Sequence, residues 1–284
     1  MSFEILRQRV EMHKPRTIQE EENAIKEVYQ EIALSGLARS NFFKVAAFQG
    51  GACLRIFYRM NRFSEDLDFC LLHPNKSFTW EPFLDSVKNE FATFGIELEV
   101  SSQKKEEDAV RHATLKDSSF VRIFHLRHNR NKAHKQKILI KFKVDTNPPE
   151  ASGFETLYLD FPFPFSITVQ NKFSLFAGKC HALLCRPYVK GRDWYDFLWY
   201  VSNRTTINFS YLQSALVQTG HWNPSEVLDK EKFIALLEKK IKAIDWKKAA
   251  NDVVPLLKTS DQEVVPLWDQ NLFLAYAHKL SLYI

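Results

Sequence analysis

Asp66 and Asp68, separated by Leu67, are the side chains best spaced for chemistry. The alternation from Asp66 to Leu72 predicts a strand with Asp66, Asp68 and Cys70 on one face and Leu67, Phe69 and Leu71 on the other. Two carboxylates at this spacing can share a divalent ion. Mg²⁺ takes oxygen ligands and keeps several waters, so one or two carboxylates plus substrate phosphates suffice. Ile138 to Asp145 alternates in the same way. Ile138, Ile140, Phe142 and Val144 share one face, and Leu139, Lys141, Lys143 and Asp145 the other. Asp145 therefore closes a strand on its polar side. As a third carboxylate it would allow two ions, which together clamp the attacking and leaving oxygens of a phosphoryl displacement.

A lone Asp-x-Asp also describes an ordinary solvated strand end, so the residues before it matter. Gly50-Gly51 lies between the apolar segment Phe42 to Phe48 and a helix pattern with Cys53, Ile56, Phe57 and Met60 on one face. Glycines let the backbone approach a ligand closely. A helix N-terminus offers unpaired N–H groups to an anion. A phosphate cradle followed by a metal-binding Asp-x-Asp is more specific than either alone.

The elements that must position these groups read as follows. Ile18 to Leu37 is a helix with acidic first turns and Gly36 at its C-terminal end. Trp80 to Phe94 is a helix closed by Gly95. Strands are expected at Ile96 to Val100, Val110 to Leu115 and Ser119 to Leu126, with a basic turn from His128 to Lys137. Tyr158 to Val169 contains FPFPF, whose prolines exclude a central strand, and reads as an extended crossing segment. Beyond it the patterns are helical: Lys172 to Cys185, Asp193 to Val201, Phe209 to Gln218, Lys230 to Ile244, Trp246 to Leu257 and Val264 to Leu280. This organisation is α+β, with an α/β domain over 1–165 and a helical domain over 166–284.

The composition sets wide bounds. The chain has 284 residues, of which 45% are hydrophobic and 26% charged, enough for a sizeable core in one large or two ordinary domains. The 24 Phe are expected mostly in that core. A net charge of +5 suits a nucleotide or nucleic-acid partner without requiring one. Cys53, Cys70, Cys180 and Cys185 form no C-x-x-C pair and sit in apolar runs, as reduced core thiols do. With no signal-peptide pattern and no segment of membrane-spanning length, a cytoplasmic protein is expected.

GGACLRIFY, followed by RFSEDLDF, resembles the first motif of the nucleotidyltransferase toxins of the AbiEii/AbiGii type, in the DNA polymerase β-like nucleotidyltransferase superfamily. LFAGKCHALLCRPYVKGRDWYDFLWY, Leu175 to Tyr200, resembles the family's second signature. The resemblance implies a polymerase β-like mixed sheet with flanking helices. It implies Mg²⁺ (or Mn²⁺) ligands at Asp66 and Asp68, a triphosphate-contacting lysine at Lys179 and an acidic residue at Asp193. The substrate would be an NTP, the acceptor tRNA, and the role that of a toxin in a toxin–antitoxin or phage-defence pair with a cognate antitoxin protein. One departure stands out: superfamily members usually carry Gly-Ser at the nucleotide helix, whereas Ala52 follows Gly51 here. The toxin-type pattern R-x-S-x-D-x-D, Arg62 to Asp68, supplies Ser64 as the substitute hydroxyl. The resemblance also implies Ser64 as a candidate phosphoryl acceptor, as the corresponding serine is in related toxins.

Lys179 also draws attention without the resemblance. It falls within a stripe of Leu175, Phe176, Ala182 and Leu183, where a lysine either snorkels or meets an anion. Asp193 and Asp196 share a helix face. Asp193 either holds Lys179 or acts in the chemistry. Asp196 reads as an N-terminal helix acid favoured by the dipole, within i, i+4 reach of Arg192. Arg122 to Lys143 is the strongest basic stretch, with Arg122, Arg127, Arg130, Lys132, Lys135, Lys137, Lys141 and Lys143 and no acid among them. It suits the phosphates of RNA, or else marks a solvated edge protected by charge. His125, His128 and His134 lack the cysteine or carboxylate spacing of a zinc site. The rival functions are a catalytically silent RNA- or partner-binding protein, or a phosphotransferase on the same scaffold.

Overall fold

The computed structural model describes residues 3–103, 110–117 and 138–284. The chain forms two units, Met1–Pro148 with Glu155–Val169, and Pro149–Phe154 with Gln170–Ile284.

The first unit is built on a mixed sheet of β1 (Ala46–Gln49), β2 (Leu67–Leu71), β3 (Glu99–Gln103), β4 (Val110–Asp117), β5 (Ile138–Asp145), β6 (Phe154–Leu159) and β7 (Phe165–Gln170). Their order is β3-β4-β5-β2-β1-β7-β6. β2 runs antiparallel to β1 and parallel to β5, and β4 runs antiparallel to β5. One sheet face is apolar: Phe48, Phe69 and Val144 form one row across β1, β2 and β5, and Leu67 stands beside Phe142. That face meets an aromatic cluster. Phe42 stacks on Trp80 at 5.4 Å and meets Phe69 edge-on at 5.0 Å, and Trp80 lies 5.6 Å from Phe142. Most of the described phenylalanines of this half fill core as expected, whereas Phe163 is exposed.

Helices α1 (Phe3–Glu11), α2 (Ile18–Arg39), α3 (Gly50–Tyr58) and α4 (Glu81–Ala92) complete the unit. Thr17 caps α2, its side chain accepting from Glu20 N at 3.2 Å. This helix runs past Gly36, which is not its end. A Cβ at Gly36 would lie 2.7 Å from Val87 Cα, so the glycine lets α2 and α4 pack backbone to backbone. The FPFPF segment also departs from expectation, because it links two strands. Pro162 and Pro164 fall between β6 and β7, leaving β7 free to pair with β1. The expected strand at 119–126 and the basic turn lie outside the described residues.

The second unit is helical, with α5 (Lys172–Cys185), α6 (Gly191–Ser202), α7 (Phe209–Gln218), α8 (Lys230–Lys242), α9 (Trp246–Val253) and α10 (Gln270–Ser281) among the described residues. Asn171, Asn208, Asp229, Asp245 and Asp269 cap five of these helices. The helix expected from Val264 begins only at Gln270. Pro266 sits in a preceding 3₁₀ segment, Thr259–Leu267, and Asp269 then caps α10. Trp246 stacks on Phe273 at 3.8 Å, and Trp194 packs edge-on against both, which fixes α6 against α9 and α10. Phe176 stacks on Tyr200 at 4.3 Å and so joins α5 to α6. No described helix is long and apolar enough to cross a membrane. Cys53, Cys70 and Cys180 are buried and Cys185 partly so, and all four are unpaired thiols.

Candidate active site

In the first unit, Gly50, Gly51, Arg62, Ser64 and Asp68 come together at the N-terminus of α3. Gly50 has φ +79°, and a Cβ there would lie 2.8 Å from Asp68 Oδ2. The backbone therefore turns where side chains rarely can, directly against the carboxylate. At Gly51 the constraint is space alone. A Cβ would meet Arg62 Nη2 at 2.6 Å and Ser64 Oγ at 3.1 Å. Helix N–H groups, a guanidinium and a hydroxyl thus border one small region beside Asp68, the donor set of an anion cradle.

Neighbouring elements fix these groups. Arg59, at φ +59°, reverses the chain after α3, and Met60 N donates to Leu54 O at 3.2 Å. Arg55 donates to Met60 O and Asn61 O at 2.9 and 2.8 Å and to buried Glu27 at 2.8 Å. The Gln30 amide donates to Ser64 O at 2.9 Å. Arg62 is buried and donates to Phe63 O at 3.0 Å. The loop from Arg59 to Asp66 is therefore pinned from both α2 and α3.

On the polar face of the sheet, Gln49, Asp68, Lys143 and His112 form one row across β1, β2, β5 and β4. Asp66 lies just before β2, and Lys143 Nζ makes an ion pair with its Oδ2. Asp145 is not brought to this pair. It stands beside Cys70, two residues further along the strand than Asp68, an offset of about 7 Å. Its Oδ1 accepts from Asn147 N at 2.9 Å. Burial raises its pKa against that hydrogen bond. Among the described residues no three His, Cys, Asp or Glu side chains gather as a metal site. Asp66 and Asp68, backed by the cradle, nevertheless offer the hard oxygen donors that a phosphate-bound Mg²⁺ needs.

In the second unit, Lys179 meets carboxylates instead of snorkelling. Its Nζ lies 2.7 Å from Asp193 Oδ1 and 2.7 Å from Asp196 Oδ2. Arg186 Nη1 reaches Asp193 Oδ2 at 2.6 Å. Burial pushes the Asp193 pKa up, but Lys179 and Arg186 outweigh it and hold the carboxyl below its usual range. Asp196 is fully buried and so is more than a helix-terminal acid. Sequence spacing gives Asp196 only a helix-terminal role and does not single out Arg186. The signal for Asp196 lay in its position one turn beyond Asp193, while Arg186, at the C-terminal end of α5, carried none. Of the basic stretch, Arg122 to Lys137 lies outside the described residues. Lys141 is exposed, and Lys143 belongs to the Asp66 pair.

The family model described as "Nucleotidyl transferase AbiEii toxin, Type IV TA system" matches residues 32–273. A solved structure described as "Crystal structure of putative nucleotidyltransferase from H. pylori" is similar with a TM-score of 0.50. It is 18% identical, with 90% of this chain and 92% of that one covered. The crystal structure of JHP933 from Helicobacter pylori has a TM-score of 0.49 and 17% identity, with 88% of each chain covered. At this identity the first likeness concerns the fold, and it agrees with the mixed sheet, flanking helices and helical C-terminal region. No protein of curated function matches the chain.

Proposed function

Since the chain belongs to the AbiEii family of nucleotidyl transferase toxins of type IV toxin–antitoxin systems, we propose that it is a Mg²⁺-dependent nucleotidyltransferase moving an NMP from an NTP to an acceptor hydroxyl, with a tRNA 3′ end as acceptor. The observation that carries this reading is the closure of the Gly50-Gly51 turn on Asp68, Arg62 and Ser64.

The helix N-terminus, Arg62 and the Ser64 hydroxyl bind and orient the NTP phosphates. Asp66 and Asp68 would hold the ion, which when bound lowers the acceptor pKa and offsets phosphate charge. The acceptor oxygen forms a bond to the α-phosphorus, the bond to the bridging α,β-oxygen breaks, and pyrophosphate leaves. The acceptor proton passes to solvent. Within the second unit, Asp193 and Asp196 hold Lys179 in one orientation; the family resemblance gives this lysine the role of contacting a triphosphate. The six cations from Arg122 to Lys137 neutralise RNA phosphates, so RNA binding weakens steeply with salt. The biological setting is a toxin–antitoxin or phage-defence pair in the cytoplasm.

Incubating the protein with total RNA, Mg²⁺ and each NTP, labelled at the α or the γ position, tests the reading. The α label should enter RNA, and Asp66→Ala or Asp68→Ala should lower that transfer by about 10²–10³-fold or more while RNA binding persists. Transfer of the γ label alone would identify a phosphotransferase, and no transfer from any NTP a silent binding protein.

A further inference from the structure

The polar sheet face carries a cation where a two-ion site needs a third carboxylate. Lys143 is the β5 residue beside Asp68, and its ammonium reaches back to Asp66. Strand pairing fixes its backbone on both sides, against Asp68 on β2 and His112 on β4. Asp145, the nearest carboxylate on β5, is displaced to the level of Cys70 and Val110 and accepts from its own turn at Asn147 N. Asp66, Asp68 and Lys143 sum to one negative charge, whereas three carboxylates would bring three. A single divalent ion already overcompensates the first set. Without nucleotide, a second ion would sit beside both the first and the ammonium, with too little negative charge to hold it.

We propose that Lys143 is the built-in second cation of this site: a single divalent ion binds Asp66 and Asp68, and Lys143 weakens its binding by competing for Asp66. This rests on the metal-dependent reading above. The flexible four-carbon stem of lysine lets the ammonium yield Asp66 to the ion and remain nearby as a fixed positive charge. When an NTP is bound, that charge faces phosphate oxygens that a second metal would otherwise neutralise. The site would then respond to divalent-ion concentration through one binding event.

Mn²⁺ titration of the full-length protein without nucleotide, followed by electron paramagnetic resonance, tests this without relying on turnover. Wild type should bind one Mn²⁺ per chain. Lys143→Met should still bind one, roughly tenfold more tightly, because a competing unit charge is gone. Lys143→Arg should stay within a few-fold of wild type, and Asp145→Asn should leave count and affinity unchanged. Two ions on wild type, unchanged or weaker binding to Lys143→Met, or an ion lost in Asp145→Asn would overturn the proposal while keeping the metal-dependent reading. A wild type that binds no Mn²⁺ at millimolar concentration would remove that reading and the proposal together.

Discussion

Gly51 shows how much of the site rests on one missing carbon. A Cβ there would press on the Arg62 guanidinium and the Ser64 hydroxyl together. Arg62 is buried and cannot swing into solvent, so the added methyl has to move the pinned loop. Gly51→Ala should weaken NTP binding about tenfold or more and cost roughly 1–3 kcal/mol of stability, measured by calorimetric titration and urea unfolding. An unchanged affinity would place the nucleotide phosphates away from α3. Such single-residue roles were partly legible in the sequence. The order of glycines, serine and aspartates along the chain pointed to a cradle. That Arg62 turns inward to line it depends on Arg55 and Gln30 holding the loop; Arg55 is itself held by Glu27 and Gln30 reaches Ser64, contacts between distant positions in the chain.

At the scale of elements, alternation revealed β2 and β5, including which faces are polar, but not their register. Register decides that Lys143 rather than Asp145 neighbours Asp68. A strand pattern carries its own period and no record of its partner's offset, so the third carboxylate could not be judged from sequence. The helices of the second unit were legible because caps and apolar spacing are local. The close association of α5 and α6 was legible only as the suggestion that Asp193 holds Lys179; the packing behind it depends on Phe176 meeting Tyr200 across the helix pair. That pairing aligns Lys179 with two carboxylates. Asp196→Ala removes a fully buried carboxylate from the part-buried Lys179 ammonium and should cost about 3–5 kcal/mol, read from the urea midpoint. Asp193 adds a pH signature. Its folded pKa lies below the ordinary 3.8, so its contribution is full above that value and is lost as pH falls through the lower folded pKa. In Asp193→Asn, stability measured from pH 5 to pH 2 should lose that part of the acid slope.

For the whole molecule, the path of the chain matters as much as its elements. Residues 149–154 belong with the second unit, yet the chain then returns through 155–169 to the first. Gly153 N donates to Ser174 Oγ at 2.9 Å, and Asn208 donates to Ala151 O at 2.8 Å, so the short excursion is bonded into the helical unit. A division at 165/166, natural from composition, would cut β7 at its first residue and strip β1 of its parallel partner. The fragment 1–165 should therefore lack fixed tertiary packing, seen as lost near-ultraviolet circular dichroism and a broadened unfolding transition. A cooperative, native-like melt of that fragment would show that β7 is dispensable to the sheet.

The same excursion bears on inheritance. The chain passes between its units at 148/149, 154/155 and 169/170. A single recombination breakpoint in the gene therefore cannot exchange one unit whole for a homologue's. The carboxylate-bearing and lysine-bearing halves should descend together, and chimaeras between relatives should work only when all three junctions are respected.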